Sequence, residues 1–225
     1  MNYTFQFGVA LDRLPELLEG AVLTLQLGIL TFWGAALIGL AGAAAKTYGG
    51  AIARRIAGAY VVLFTNTPAL IQIYFLYFGL PELGVRLSSY TCVLIGLTLN
   101  AGAYLTEIMR AGFISTRRAE LEAAEVLGFS RWQQIRYVIV PHIARAIYPA
   151  LANFFIVIMV MGTSIGAIFG VNELTGQAIN ISTENYRWLE MFVLVAAIYI
   201  VLTFIASLSL ALVGRLAFRV KAKVF

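Results

Sequence analysis

The chain is poor in the residue types from which catalytic and metal centres are commonly built. Cys92 is the single cysteine and His142 the single histidine among 225 residues. An intrachain disulfide and a cysteine metal cluster are excluded, and no second imidazole exists for a histidine-based metal site. Cys92 lies in an apolar run and reads as a small core residue. His142 reads as an interfacial polar residue beside Pro141. Charge is scarce as well: Asp, Glu, Lys and Arg make up 12% of the chain, where a soluble domain carries about 25%. The first residues have neither a basic start nor a small-residue cleavage site, so no removed signal is expected. The nearest approach to a phosphate loop, Gly42-Ala43-Ala44-Ala45-Lys46-Thr47, lacks the glycine before the lysine and ends an apolar run. No catalytic site, no metal and no cofactor of its own is expected for this chain.

What is abundant is apolar: 61% of residues are hydrophobic. An all-α integral membrane protein follows, organised as one transmembrane domain over residues 1–225. Five spans are expected, at about 21–45, 56–80, 90–111, 147–170 and 188–213. Residues 1–19 mix aromatic and acidic positions and predict an amphipathic lead-in at the interface. Ala35, Gly39 and Ala43 repeat at four-residue spacing in the first span, which lets a neighbouring helix approach closely. The second span is interrupted at Thr65-Asn66-Thr67-Pro68. Pro68 removes one donor and its ring crowds the carbonyl of Phe64 four residues back. Such a break is tolerated in a membrane only where protein or water serves the freed backbone.

The net charge of +5 invites a nucleic-acid reading, but its distribution gives topology instead. Thirteen Lys and Arg fall on one side of the spans and three (Arg13, Arg86 and Arg187) on the other. The positive-inside rule then places the amino terminus outside and the carboxyl terminus, with its basic tail, in the cytoplasm. An odd number of spans requires the same. The loop 115–141, which with Arg110 before it carries five arginines, is therefore cytoplasmic. Within it, Ala119–Leu127 is rich in helix formers, with Leu121, Ala124 and Leu127 on one face. Gly128 suits the left-handed position that ends a helix. Ser130 with Gln133 three residues on is a capping-box pattern. The loop is predicted as helix, glycine turn and second helix, the latter stopping or bending at Pro141.

Polar residues inside spans mark a candidate pathway. Asn100, Tyr104 and Glu107 share a face of the third span, and an ionisable residue in a span is commonly turned inward. Thr67 and Gln72 near the proline break, with Thr65 beside them, and Thr163 and Ser164 in the fourth span are candidates for the same cavity.

Glu122-Ala123-Ala124, three residues, Gly128, nine residues, then Val138-Ile139-Val140-Pro141 resembles the EAA loop of bacterial ABC importer permeases. Phe64-Thr65-Asn66-Thr67-Pro68-Ala69-Leu70-Ile71-Gln72, Tyr77-Phe78-Gly79-Leu80-Pro81 and Ala103-Tyr104 through Glu107 to Arg110 are similar to runs of the polar amino-acid uptake subfamily. The resemblance covers residues 20–213. It departs at Thr65, where the family has arginine, at Ala119-Glu120, where it has glycine-glutamine, and at Met161-Gly162, where it has lysine-aspartate. The resemblance implies the type I importer permease fold in a bacterial inner membrane, moving a polar or charged amino acid or a close derivative into the cytoplasm. It further implies that Glu122, Ala123, Ala124 and Gly128, with Arg118 beside them, form the element that docks in a groove of a cytoplasmic ATPase. The implied partners are an ABC ATPase dimer, a second permease similar or identical to this chain, a periplasmic substrate-binding protein and membrane lipid, with no nucleic acid. Hydrolysis would reside in the partner, not here. Two other readings stay open: a permease for another small polar solute, and a membrane scaffold that recruits a soluble partner without transport.

Overall fold

The structure is a computed structural model that describes residues 4–116 and 118–218. Arg117, the side chain of Arg118 and the basic tail at Arg219, Lys221 and Lys223 lie outside the described residues, and so do the expectations placed on them. Among the described residues the chain is all helix: α1 (Phe7–Asp12), α2 (Leu14–Tyr48), α3 (Ala51–Thr65), α4 (Ala69–Glu82), α5 (Ser89–Ile114), α6 (Arg118–Val126), α7 (Arg131–Phe169), α8 (Leu174–Asn185) and α9 (Trp188–Phe218). Helices α2, α5, α7 and α9 are each long and apolar enough to cross a membrane, and α3 with α4 makes a fifth if counted as one broken span.

Several boundaries differ from those expected. Helix α2 has 35 residues, about 52 Å at 1.5 Å per residue, well beyond the ~30 Å hydrocarbon core. It takes in part of the amphipathic lead-in and runs past Lys46, so only Gly49 and Gly50 separate it from α3. The larger correction concerns Pro141. The helix that begins at Arg131 does not stop there but continues as α7 to Phe169, with Pro149 also inside it. A π turn at Ile135–Ile139 precedes the proline. The extra residue in that turn widens the helix, so the proline ring no longer crowds the carbonyl behind it.

The Cα trace divides into two compact units. The first comprises Met1–Trp33, Thr67–Thr98 and Phe155–Ala206. One of its cores joins Ala10, Leu17 and Ala21 to Leu174, Ala178 and Ile181 of α8 and to Met191 and Val195 of α9. Another gathers Leu27, Ile73, Cys92, Val93, Leu97, Phe169 and Val171. Cys92 is fully buried there, the small core residue its neighbours predicted. The second unit comprises Gly34–Asn66, Leu99–Phe154 and Ser207–Phe225. Its tightest packing uses the small-residue repeat of α2. Ala35 and Ala43 are fully buried, and a Cβ on Gly39 would stand 2.7 Å from the Leu105 side chain of α5. Backbones in contact at this range collect the dispersion energy that drives helix association where no hydrophobic effect operates.

Candidate functional site

The loop after α5 folds as its residues dictate. Helix α6 ends at Val126, and Gly128 takes φ +75°. The Phe129 N–H donates to the Ala124 carbonyl at 3.0 Å and the Gly128 N–H to that of Glu125 at 2.9 Å. This is the paired closure that a left-handed glycine permits. Ser130 then opens α7 with both halves of a capping box: its N–H donates to Gln133 Oε1 at 2.8 Å, and the Gln133 N–H to Ser130 Oγ at 3.3 Å. One end of α6 is thereby fixed against α7. A second tie is the contact of Glu120 Oε2 with His142 Nδ1 at 3.1 Å, beside a cleft of about 560 Å³ that Tyr137 and Arg145 also line. Sequence reasoning left His142 as a bland interfacial residue; nothing in the spacing of Glu120 and His142 shows that a helix reversal brings them together.

Among the described side chains of α6 only Ala124 is fully withdrawn from the surface, with Glu120 and Leu121 partly buried. Ala124 is 3% exposed, whereas Val126 and Leu127 are 89% and 72% exposed, and Glu122 and Ala123 are exposed beside them. The expected packing face of Leu121, Ala124 and Leu127 is therefore incomplete. The helix ends one residue before Leu127, and the turn swings that side chain outward. The result is a short helix, held rigidly at its carboxyl end, with an apolar tip and an acidic flank turned away from the chain.

The pathway candidates sort into separate groups. In the second unit, Asn100 Nδ2 donates to the Phe64 carbonyl at 2.9 Å and the Tyr104 hydroxyl to that of Thr65 at 3.3 Å. These are carbonyls at the end of α3, where Pro68 brings no N–H. Two of the three polar residues on the face of α5 thus serve the broken helix. The third, Glu107, pairs with Lys46 of α2 and accepts from Arg110 Nε at 2.8 Å. Lys46 was missed, although opposite charges at the same end of neighbouring spans were a usable signal. In the first unit, Gln72 Nε2 donates to the Thr67 carbonyl at 2.9 Å. Thr163 is fully buried, its hydroxyl bonded back to the Met159 carbonyl at 2.6 Å, and Ser164 Oγ donates to Met161 at 3.0 Å. Back-bonding of this kind is the ordinary behaviour of hydroxyls in helices. Met161 itself is 69% exposed, and it lies within a π turn at Ile158–Gly162.

One buried polar centre of the first unit escaped the sequence altogether. Glu173, fully buried, stands at the amino-terminal cap of α8. Its carboxylate accepts from Gly176 N at 2.9 Å, Thr175 N at 3.1 Å, Tyr199 Oη at 3.1 Å and Thr24 Oγ1 at 3.2 Å. Burial pushes its pKa up, and the Thr175 and Gly176 amides and the Tyr199 and Thr24 hydroxyls pull it back. Glutamate is not among the preferred cap residues, so no cap pattern announced it.

Residues 14–219 match the family model described as the inner membrane component of binding-protein-dependent transport systems. The glutamine transport system permease protein GlnP of Escherichia coli (strain K12) is 37% identical over 205 residues, covering 90% of this chain and 93% of that protein. The probable amino-acid ABC transporter permease protein YckA of Bacillus subtilis (strain 168) is 32% identical, covering 92% and 91%. Among solved structures, a crystal structure of an amino acid ABC transporter with histidines superposes with a TM-score of 0.86 at 33% identity, covering 95% of this chain and 99% of that one.

Proposed function

The chain belongs to the inner-membrane components of binding-protein-dependent transport systems, and from that premise we propose that it imports a polar amino acid or a close derivative. In this reading the whole chain, 1–225, works as one permease domain without a cofactor. It lies in the bacterial inner membrane with its amino terminus outside, as the thirteen-to-three distribution of Lys and Arg supports. Hydrolysis belongs to a cytoplasmic ATPase dimer, and a periplasmic binding protein delivers the substrate. Relatives that handle glutamine and octopine support the substrate class.

The observation that carries the proposal is the shape of α6. A short helix that fully buries only Ala124 among its described side chains, is followed by the exposed Leu127 after its exposed Val126, and is closed at Gly128 and Ser130 is suited to being held by another protein. Glu122 and Ala123 complete the exposed face, with Arg118 at its start. Because α7 begins at the capping box and runs on as one helix to Phe169, a displacement of α6 by an ATPase has a stiff element to act on. Thr67, Gln72, Thr163 and Ser164 in the first unit and, separately, Asn100, Tyr104 and Glu107 in the second are the polar groups proposed for the pathway. Met161 and Gly162 supply no charge where the resemblance expects lysine and aspartate, so a second, non-identical permease supplies the charged contacts.

The test is reconstitution with the ATPase and binding protein. The wild type should show ATPase turnover that rises with loaded binding protein, together with uptake. Glu122→Arg and Gly128→Pro should each abolish ATPase association while leaving the permease folded. Association and uptake unchanged in both variants would sink the proposal. An ATPase that binds without any uptake would favour the scaffold reading.

A further inference from the structure

Behind α6 lies a cleft of about 560 Å³ that the transport reading does not use. Its lining carries both signs of charge: Glu120 comes from α6, and Tyr137, His142 and Arg145 come from α7, with Val138 and Pro141 beside them. The cleft is not on the face offered for docking. Glu120 and Ala124, four residues apart, share one face of α6. That face is turned to the chain, since Ala124 is 3% exposed and Glu120 Oε2 stands 3.1 Å from His142 Nδ1. Glu122 and Val126, also four apart, lie on the exposed side. A protein seated on Glu122 and Val126 therefore does not fill the cleft by that contact.

The groups left unused define the occupant. His142 takes one oxygen of Glu120, and the other has no partner among the described residues. Among the same residues Arg145, which is exposed, makes no ion pair, and the Tyr137 hydroxyl makes no hydrogen bond. A lone anion would meet the Glu120 carboxylate, and a lone cation the Arg145 guanidinium. A small molecule with an ammonium and a carboxylate joined to one carbon answers both at once. The Tyr137 hydroxyl and the second ring nitrogen of His142 then remain for a polar side chain. The volume lies in the range of small-molecule pockets, about 300–1,000 Å³.

We propose that this cleft binds a free α-amino acid on the cytoplasmic side, its ammonium on Glu120 and its carboxylate on Arg145. The proposal rests on the transport reading, which makes such a molecule the product released there. A bound amino acid adds a bridge from α6 to α7 next to the contact of Glu120 with His142. Coupling requires the ATPase to displace α6. The bridge holds that helix back, so accumulated product slows its own import.

The full chain is reconstituted in liposomes with its ATPase and binding protein, with ATP and unlabelled L-glutamine trapped inside. Uptake of the labelled amino acid carried by the binding protein is then timed. L-glutamine serves as the probe because recognition is through the main-chain groups. Wild-type uptake should fall as trapped L-glutamine rises. N-acetyl-L-glutamine, which has no ammonium, and L-glutamine α-amide, which has no carboxylate, should leave it unchanged. Arg145→Gln should transport at the wild-type rate with no amino acid trapped, and should need at least about tenfold more L-glutamine for the same inhibition. Its melting temperature should match wild type, since Arg145 has no ion pair to lose among the described residues. Saturation-transfer NMR on the detergent-purified chain reads the site without transport: contact with L-glutamine should be lost in Arg145→Gln and kept in Thr163→Val. Wild-type uptake indifferent to trapped L-glutamine overturns the proposal, as does equal inhibition of Arg145→Gln or by either derivative. A wild type with no uptake even when no amino acid is trapped refutes the transport reading instead, and the NMR comparison then decides the site alone.

Discussion

Glu173 offers the sharpest test of how the first unit is held together. Its carboxylate takes four hydrogen bonds, from two backbone amides of α8, from Thr24 of α2 and from Tyr199 of α9. Glu173→Ala leaves Tyr199 with its other partner, the Thr175 hydroxyl at 2.9 Å. The Thr175 and Gly176 amides and the Thr24 hydroxyl lose their acceptor. At roughly 1 kcal/mol for each buried donor left unserved, the low end because removing a buried charge relieves desolvation, the cost is about 3 kcal/mol. For a chain of this length that is a fall in melting temperature of about 6–12 °C. Glu173→Gln keeps one acceptor oxygen, and in either orientation its NH2 faces a backbone amide that then goes unserved, so about 1 kcal/mol and roughly 2–4 °C are expected. The assay is thermal melting in detergent, followed by fluorescence-detected size-exclusion chromatography. An alanine variant within about 2 °C of wild type, or a glutamine variant below alanine, would refute the reasoning. The pH dependence gives an independent check. Burial raises the Glu173 pKa in the folded protein, so its contribution is fully present below the unfolded value and is lost as pH rises through the folded one. Glutamine has no such term. The advantage of wild type over Glu173→Gln should therefore shrink as pH rises from the ordinary carboxylate range upward.

Three further outcomes follow from the second unit. Ser130→Ala removes one arm of the capping box and should cost about 1 kcal/mol, seen as faster amide hydrogen exchange at the first turn of α7 with α5 unchanged. Asn100→Leu and Tyr104→Phe each remove a donor from the end of α3 and should cost about 0.6 kcal/mol, at most about 1.7. In substrate-stimulated ATPase assays Asn100→Leu should leave the half-saturating concentration unchanged, because its amide already serves the Phe64 carbonyl; a large rise would make Asn100 a substrate ligand. Glu107→Gln should destabilise more than Lys46→Met, since it leaves two cations facing each other while Lys46→Met keeps the Arg110 pair. All three side chains are a quarter to a third exposed, so solvent screening holds the difference to about 1 kcal/mol or less, readable as a melting shift that salt reduces.

The legible parts of this chain are those fixed by short-range rules or by the membrane. Apolar length gave the spans. The spacing of Ala35, Gly39 and Ala43 gave the close approach of α2 to a neighbour, and Ser130 with Gln133 gave the capping box. Gly128 gave the turn. What stayed hidden depends on partners distant in sequence. Glu173 meets Thr24 across 149 positions, Lys46 meets Glu107 across 61, and neither pair has a local pattern. Asn100, Tyr104 and Glu107 illustrate the limit from the other side. Their helical spacing placed them on one face, but whether a polar face lines a path or serves a neighbouring backbone is decided by the neighbour. Helix α8 was hidden for a different reason: it lies in a polar stretch between spans, where membrane-type hydropathy has nothing to read.

The prolines show most clearly how local chemistry chooses between breaking and bending. Pro68, Pro81 and Pro141 each remove the same donor, yet only Pro68 lies at a helix break, and Pro81 and Pro141 lie inside α4 and α7. Before Pro68 the chain has side chains that can serve the last turn: Thr65 Oγ1 donates to the Val61 carbonyl at 2.7 Å and Asn66 Nδ2 to that of Val62 at 2.8 Å. Asn100 and Tyr104 then reach the Phe64 and Thr65 carbonyls from α5. Stopping is cheap where the acceptors at the break find donors. Before Pro81 stand Phe78-Gly79-Leu80 and before Pro141 stand Val138-Ile139-Val140, none with a side-chain donor. There the backbone can satisfy itself only by remaining helical, and in both cases a π turn, Phe75–Gly79 or Ile135–Ile139, precedes the proline by two residues. The insertion relieves the ring without ending the ladder. The consequence differs with position. At Pro68 a break with its own donors leaves backbone that can rearrange in mid-span, whereas at Pro141 continuity carries the helix from the loop after α5 into the membrane. Replacing Val138 or Val140 with a residue that caps, such as Asn, should therefore weaken the coupling of ATPase turnover to uptake more than it weakens folding.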